Sequence, residues 1–241
     1  MSLIYEYICA VLKVNYKVKP LLIMKIQLLF LLLVLSMALR IQEEEEETEV
    51  EDEEVEAVDP LAQGIFDSHN FARQNPDKIA AILEKELKYF EGTTLWLPGK
   101  TGKITKEGPA VWKEAIAFLK VQAKVPELKW DDKLAKAAED HVKDLAKNAM
   151  TGHIGSDKST PISRINRYGS PNAVASENIA CGATAGIDVV TQLIVDDDVP
   201  TRAHRITLYS KTIGMAGVFC GPHPTFRICC VIDYVDSWWV E

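Results

Sequence analysis

From residue 60 onward, apolar residues recur mostly at helical spacing. Leu61, Ile65, Phe66 and Phe71 share one side of a helix that must end near Asn75-Pro76, because a residue before proline avoids helical geometry. The same pattern predicts a second helix over about 77–90 and a third over 109–121, around Val111, Ala115, Phe118 and Leu119. A fourth follows Asp131 or Asp132, either of which can cap it, with Leu134, Ala138, His141, Val142 and Leu145 on its apolar face. Short helices are expected over 161–168 and 186–196. Residues 91–106 and 151–161 are rich in glycine, proline or polar side chains and read as loops. Near the C-terminus the pattern changes. The runs TIGMAGVFC and FRICCVIDYV are β-rich and flank the turn-forming GPHPT, which predicts a hairpin. Helices first and a hairpin last predict an α+β fold, an antiparallel sheet covered by helices.

Ahead of this domain the pattern is different. Residues 26–39 (IQLLFLLLVLSMAL) are almost unbroken in apolarity, with Lys25 before them and Arg40 after. A run of that length suits the core of a signal peptide better than a spanning helix. Residues 24–42 are therefore expected to be a signal peptide or a signal-anchor, with Met24 the true start and residues 1–23 a mistaken extension. Either reading exports the domain, to the cell exterior or a secretory lumen, free or anchored.

Charge sharpens these boundaries. The chain of 241 residues has a formal charge of −8, but residues 43–59 alone hold 12 acids and no base. That tract repels itself and is expected to be an extended spacer. Residues 60–241 carry 22 bases and 22 acids, so they lack the basic surplus that nucleic-acid binding needs. They also hold Cys181, Cys220, Cys229 and Cys230. In an exported domain four cysteines suggest two disulfides, in any of three pairings. Cys229 and Cys230 are adjacent on an expected strand, so they face opposite sides and should take different partners.

Candidate chemistry is sparse. GKTGK at 99–103 lacks the complete phosphate-loop pattern and reads as a surface turn. Asp196, Asp197 and Asp198 crowd the C-terminal end of a helix, where its dipole disfavours acids. Arg202 and Arg205 could compensate as ion pairs, or a bound cation could do so. His153 and His204 with Glu177 and Asp196 make a reasonable ligand set for zinc or a similar divalent ion, although their spacing matches no short metal motif. His141 reads as a packed core histidine, His69 as structural and His223 as an exposed turn residue.

Several motifs occur in an order that resembles the CAP superfamily, the SCP-like extracellular domain of cysteine-rich secretory, antigen-5 and pathogenesis-related-1 proteins. His69-Asn70 with Arg73, LKWDDKLAKAAEDH (128–141), Gly152-His153, SENIA (176–180), DDDVPTRAHR (196–205) and the terminal hairpin carry the likeness over residues 61–236. The resemblance implies an α-β-α sandwich with a cleft holding two histidines and two acids, here His153, Glu177, Asp196 and His204, with Asp197 beside the second acid. Ser176, Ala203 and Asp198 stand where the family has glycine, which matters only where the backbone needs positive φ. The implied function is a secreted, non-catalytic module binding a lipid, a sterol or a protein, with a divalent cation, zinc first, in the cleft. A metal-dependent hydrolase using the same cleft and a structural extracellular component are the alternatives. The set holds no nucleophile, and nothing pairs Ser176 with a histidine base.

Overall fold

The computed structural model describes residues 59–240. The expectations for the leader, and for all of the acidic tract except Asp59, fall outside the described residues. Among the described residues no helix is long and apolar enough to cross a membrane.

Two helices open the domain. In α1 (Pro60–Gln74) the Asp59 carboxylate caps Ala62 N, and Pro60 occupies the first turn, where a missing N–H costs nothing. Asn75 breaks the helix, and Pro76 starts α2 (Pro76–Glu86) in the same way. A 3₁₀ turn, Leu87–Tyr89, ends the expected second helix early. The segment expected as a loop contains a small antiparallel sheet instead: β1 (Phe90–Glu91), β2 (Thr94–Leu95) and β3 (Lys103–Ile104). Strands of two residues are too short to display alternation, which is why the sequence pattern hides them. Next come α3 (Pro109–Val121), β4 (Lys129–Trp130) and α4 (Asp132–Asn148). Asp131 caps α4 through Leu134 N at 3.0 Å. The chain closes with α5 (Pro161–Ile165), β5 (Ala175–Cys181), α6 (Gly186–Val195), α7 (Ala203–Leu208), β6 (Met215–His223) and β7 (Arg227–Val235).

The main sheet has the order β4-β6-β7-β5. It is antiparallel across β6, β7 and β5, and the short β4 joins β6 in parallel. Alternation along β7 divides the interior in two. Cys230, Ile232 and Tyr234 face a core built with α1, α2, α3 and α6. Val231 and Val235 face α4. Helices thus cover both faces of the sheet, an α-β-α sandwich. Gly217 of β6 makes the α4 side possible, since a Cβ there would lie 2.1 Å from Ala135 N and 2.5 Å from Leu134 C. The helix backbone rests directly on the strand.

The disulfides join residues directly opposite each other in register, Cys181 to Cys229 and Cys220 to Cys230. The adjacent cysteines therefore fasten β7 to both neighbours, one from each face. The hairpin turn is shorter than expected, because Gly221, Pro222 and His223 continue β6. Pro222 is tolerated there because β4 pairs only with Met215 and Ala216, leaving that edge of β6 open. His223 is correspondingly not an exposed turn residue. It is 3% accessible, its Nε2 donates to Met150 O at 2.8 Å, and its Nδ1 accepts from Thr225 N and Phe226 N.

Candidate functional site: a cleft with two carboxylate-held histidines

His153 lies in the loop after α4, and three side chains fix that loop. The Asp144 carboxylate accepts from Ser156 N at 2.7 Å and from the Ser156 hydroxyl. His141 Nε2 donates to Gly152 O at 2.8 Å. Arg164 of α5 donates to His153 O at 3.1 Å. His141 is fully buried on the apolar stripe of α4, and burial lowers its pKa, so the ring is neutral with Nδ1 bare.

Glu177 projects from β5 toward α4. One oxygen accepts from His153 Nδ1 at 2.7 Å and the other from Arg164 Nη2 at 2.7 Å. Arg164 is itself 1% accessible, so this ion pair is buried. Across the ladder, Glu177 is in register with Asp233 of β7. Asp233 is 0% accessible and neither of its oxygens receives a donor. Burial first, and then the Glu177 charge, raise its pKa well above the ordinary carboxylate range, with Arg164 opposing. A neutral carboxyl needs no donor and can itself donate to Glu177, which accounts for the orphaned oxygens.

The second histidine is held in the same way. Asp196 ends α6 in the left-handed region at φ 59°, a conformation aspartate tolerates. Its carboxylate then reaches the start of α7, accepting from His204 N at 3.0 Å and from His204 Nδ1 at 2.6 Å. Both histidines thus donate Nδ1–H to a carboxylate. That leaves Nε2 as the outer nitrogen of each ring, and neither Nε2 has a protein partner among the described residues. The two rings face each other with centroids 6.3 Å apart and planes inclined by 35°.

The three consecutive acids have separate tasks. Asp196 holds His204. Asp197 accepts from Lys106 N and Glu107 N, both at 2.8 Å. Asp198 takes φ 66°, so of the three positions where the family has glycine, this one needs the left-handed region. Arg202 and Arg205 do not neutralise these side chains. They donate to the carbonyls that end α6, Arg205 to Ile194 and Val195, Arg202 to Asp196, and they pair with Glu107 and Glu114. The dipole at the end of α6 is compensated by arginines on its carbonyls.

The structure brings His153 with Glu177 and His204 with Asp196 side by side, with each acid on a histidine Nδ1. Among the described residues no group of three or more His, Cys, Asp or Glu donors is arranged to hold one ion. The chemistry of the pair itself fits a divalent cation, since imidazoles held through Nδ1 by carboxylates are a common way of presenting Nε2 to a metal. Tetrahedral zinc on both nitrogens would set the ring centroids about 5 Å apart, so the observed spacing requires an approach of about 1 Å. Ser176 Oγ lies against Thr207 Oγ1 at 3.3 Å and makes no hydrogen bond to a histidine among the described residues. Arg164 and Asp233 are additions that the sequence reading does not contain. Asp233 leaves one signal there, a lone acid in the apolar run CCVIDYV.

The profile of the cysteine-rich secretory protein family, CAP, matches residues 66–234. A search of curated proteins finds no match. Among solved structures, the chain is similar to an extracellular protein containing an SCP domain from Bacillus anthracis, at 21% identity and TM-score 0.39, over 52% of this chain and 38% of that one. It is similar to an outer surface protein from Borrelia burgdorferi, at 20% identity and TM-score 0.40, over 54% of this chain and 94% of that one. A cysteine-rich secretory protein from Staphylococcus aureus matches at 12% identity and TM-score 0.35, over 53% of this chain and 38% of that one. The chain spans less than half the length of the Bacillus and Staphylococcus proteins.

Proposed function

Since the chain belongs to the cysteine-rich secretory protein (CAP) family, we propose that residues 60–241 form an exported, non-catalytic binding module whose cleft takes a divalent cation, with a lipid, a sterol or another protein as its ligand. The observation that carries this reading is the pair of His–carboxylate bonds, which leaves Nε2 without a protein partner on two neighbouring rings. His153 and His204 would hold the ion, and Glu177 and Asp196 would keep the rings in the correct tautomer. A bound zinc ion would supply a positive charge at the mouth of the cleft, able to polarise an oxygen of the ligand. Two disulfides fit an oxidising compartment, as the apolar segment at 26–39 leads one to expect.

The hydrolase alternative is weaker on the geometry. Both oxygens of Glu177 are engaged, by His153 and by Arg164, so it is poorly placed to take a proton from water. The test is zinc titration of the full chain by calorimetry, compared with the His153→Ala/His204→Ala variant so that the acidic tract cancels. Loss of one zinc equivalent in the variant supports the cleft, and identical titrations sink it. Metal-dependent peptide cleavage abolished by Glu177→Gln would favour the enzyme instead.

A further inference from the structure

A cavity of about 760 Å³ lies between the loop joining β2 to β3, the end of α2, α3, α6 and the turn after β5. That is the size of a small-molecule site. Helix α6 lines it with Asp188, Thr191, Gln192 and Val195, one stripe at i, i+3, i+4 and i+7. None of His153, Glu177, Asp196 and His204 takes part.

The charges around the cavity are unevenly satisfied. Lys100 of the loop and Asp188 of α6 are closed into an ion pair. Glu86 and Lys103 line the same space and are not paired. Glu86 uses one oxygen to accept from Trp112 Nε1 at 2.8 Å, and the other has no donor. No carboxylate lies within ion-pair distance of Lys103 among the described residues. Lys103 is open to solvent, yet enough protein surrounds it that desolvation lowers its pKa, and the same cause raises that of Glu86. A surface folding only to neutralise itself would close Glu86 on Lys103, as it closes Asp188 on Lys100. Instead, one open carboxylate and two open cations, Lys103 and Arg227, share a cavity with Leu95, Leu97 and Val195.

We propose that this cavity binds a small zwitterion carrying an apolar side group, an α-amino acid or dipeptide. Its ammonium is held by Glu86, its carboxylate by Lys103, and its side group lies on Leu95, Leu97 and Val195. A quaternary ammonium head group fits less well, because it favours an aromatic cage. The one aromatic ring here, Trp112, is 4% accessible and packed edge-on against Phe90 at 4.9 Å.

The experiment uses three probes with one side group: L-leucine, 4-methylpentanoate and 3-methylbutylamine, titrated into the full chain and followed by ligand-observed NMR. Saturable binding of leucine, with each singly charged analogue weaker by about tenfold or more, is the expected result. Lys103→Met and Glu86→Gln should each weaken leucine by about tenfold. The amide oxygen introduced by Glu86→Gln keeps an acceptor for Trp112, and Lys103 is accessible, so both variants should fold, as circular dichroism can check. Lys103→Met should leave the imidazole resonances of His153 and His204 in place, which separates this site from the cleft. No leucine binding up to about 10 mM, equal binding of the analogues, or affinity unchanged in both variants would overturn the proposal.

Discussion

Glu177 and Asp233 face each other across β5 and β7, two buried carboxyl groups on one rung of the sheet, with a buried arginine on the first and no donor on the second. The sign of the resulting pH dependence follows from the raised pKa of Asp233. Folded protein retains a proton that the unfolded chain releases near pH ~3.9. Below that pH both states are protonated and the group is neutral to stability. Above it, stability falls as pH rises toward the folded pKa. Asp233→Asn keeps the volume and a donor toward Glu177. It should remove this slope and stabilise the protein by about 1–3 kcal/mol at pH 8. Urea unfolding of both proteins from pH 4 upward measures it, and parallel curves would contradict the assignment.

Arg164 offers a second test. Its pair with Glu177 is out of water on both sides, so removing one member strands a buried charge. Arg164→Met should cost about 3–5 kcal/mol. The double change with Glu177→Gln should cost less than the sum of the single ones, because neither charge is then left alone. Additive losses would mean that the two side chains act independently.

Gly217 tests the contact between sheet and helix. A valine there would drive into the α4 backbone at Ala135 and Leu134, which cannot rotate away as a side chain would. Gly217→Val should destabilise by about 3 kcal/mol. Thermal unfolding close to wild type would show that α4 stands further off the sheet.

How far the sequence can be read depends on which forces are local. The stripe of α4, the breaks at Asn75-Pro76 and the terminal β-runs follow from spacing and proline chemistry over a few residues. His153, Glu177, Asp196 and His204 are legible through motif order. Their bonding is not, because it depends on the left-handed turn at Asp196 that brings α7 back onto its carboxylate. The arginines that compensate the end of α6 are themselves held by Glu107 and Glu114, about ninety residues away in the chain. No periodicity records such a pairing. His223 departs from its expected place because a Gly-Pro pair normally marks a turn, whereas here it lies on an open strand edge.

The disulfides differ in the loops they close. Cys181–Cys229 spans 48 residues and Cys220–Cys230 spans 10. By chain entropy, replacing the first pair with alanine should cost about 4 kcal/mol and the second about 3 kcal/mol. Denaturant titration of the two double variants gives the order, and a reversal would point to native-state packing as the larger factor.

The placing of Cys229 beside Cys230 has a further consequence for the pairing in which disulfides form. Exchanging partners, so that Cys181 met Cys230 and Cys220 met Cys229, would demand a half-turn of β7 about its axis. Tyr234 and Ile232 would then be pressed against α4, and the Asp233 carboxyl would enter the larger apolar core. Oxidation therefore carries a parity check: the connectivity that closes both bonds also leaves the one unpaired acid of the strand facing Glu177. A chain oxidised out of phase would be trapped with the two faces of β7 exchanged, its one acid held among apolar side chains.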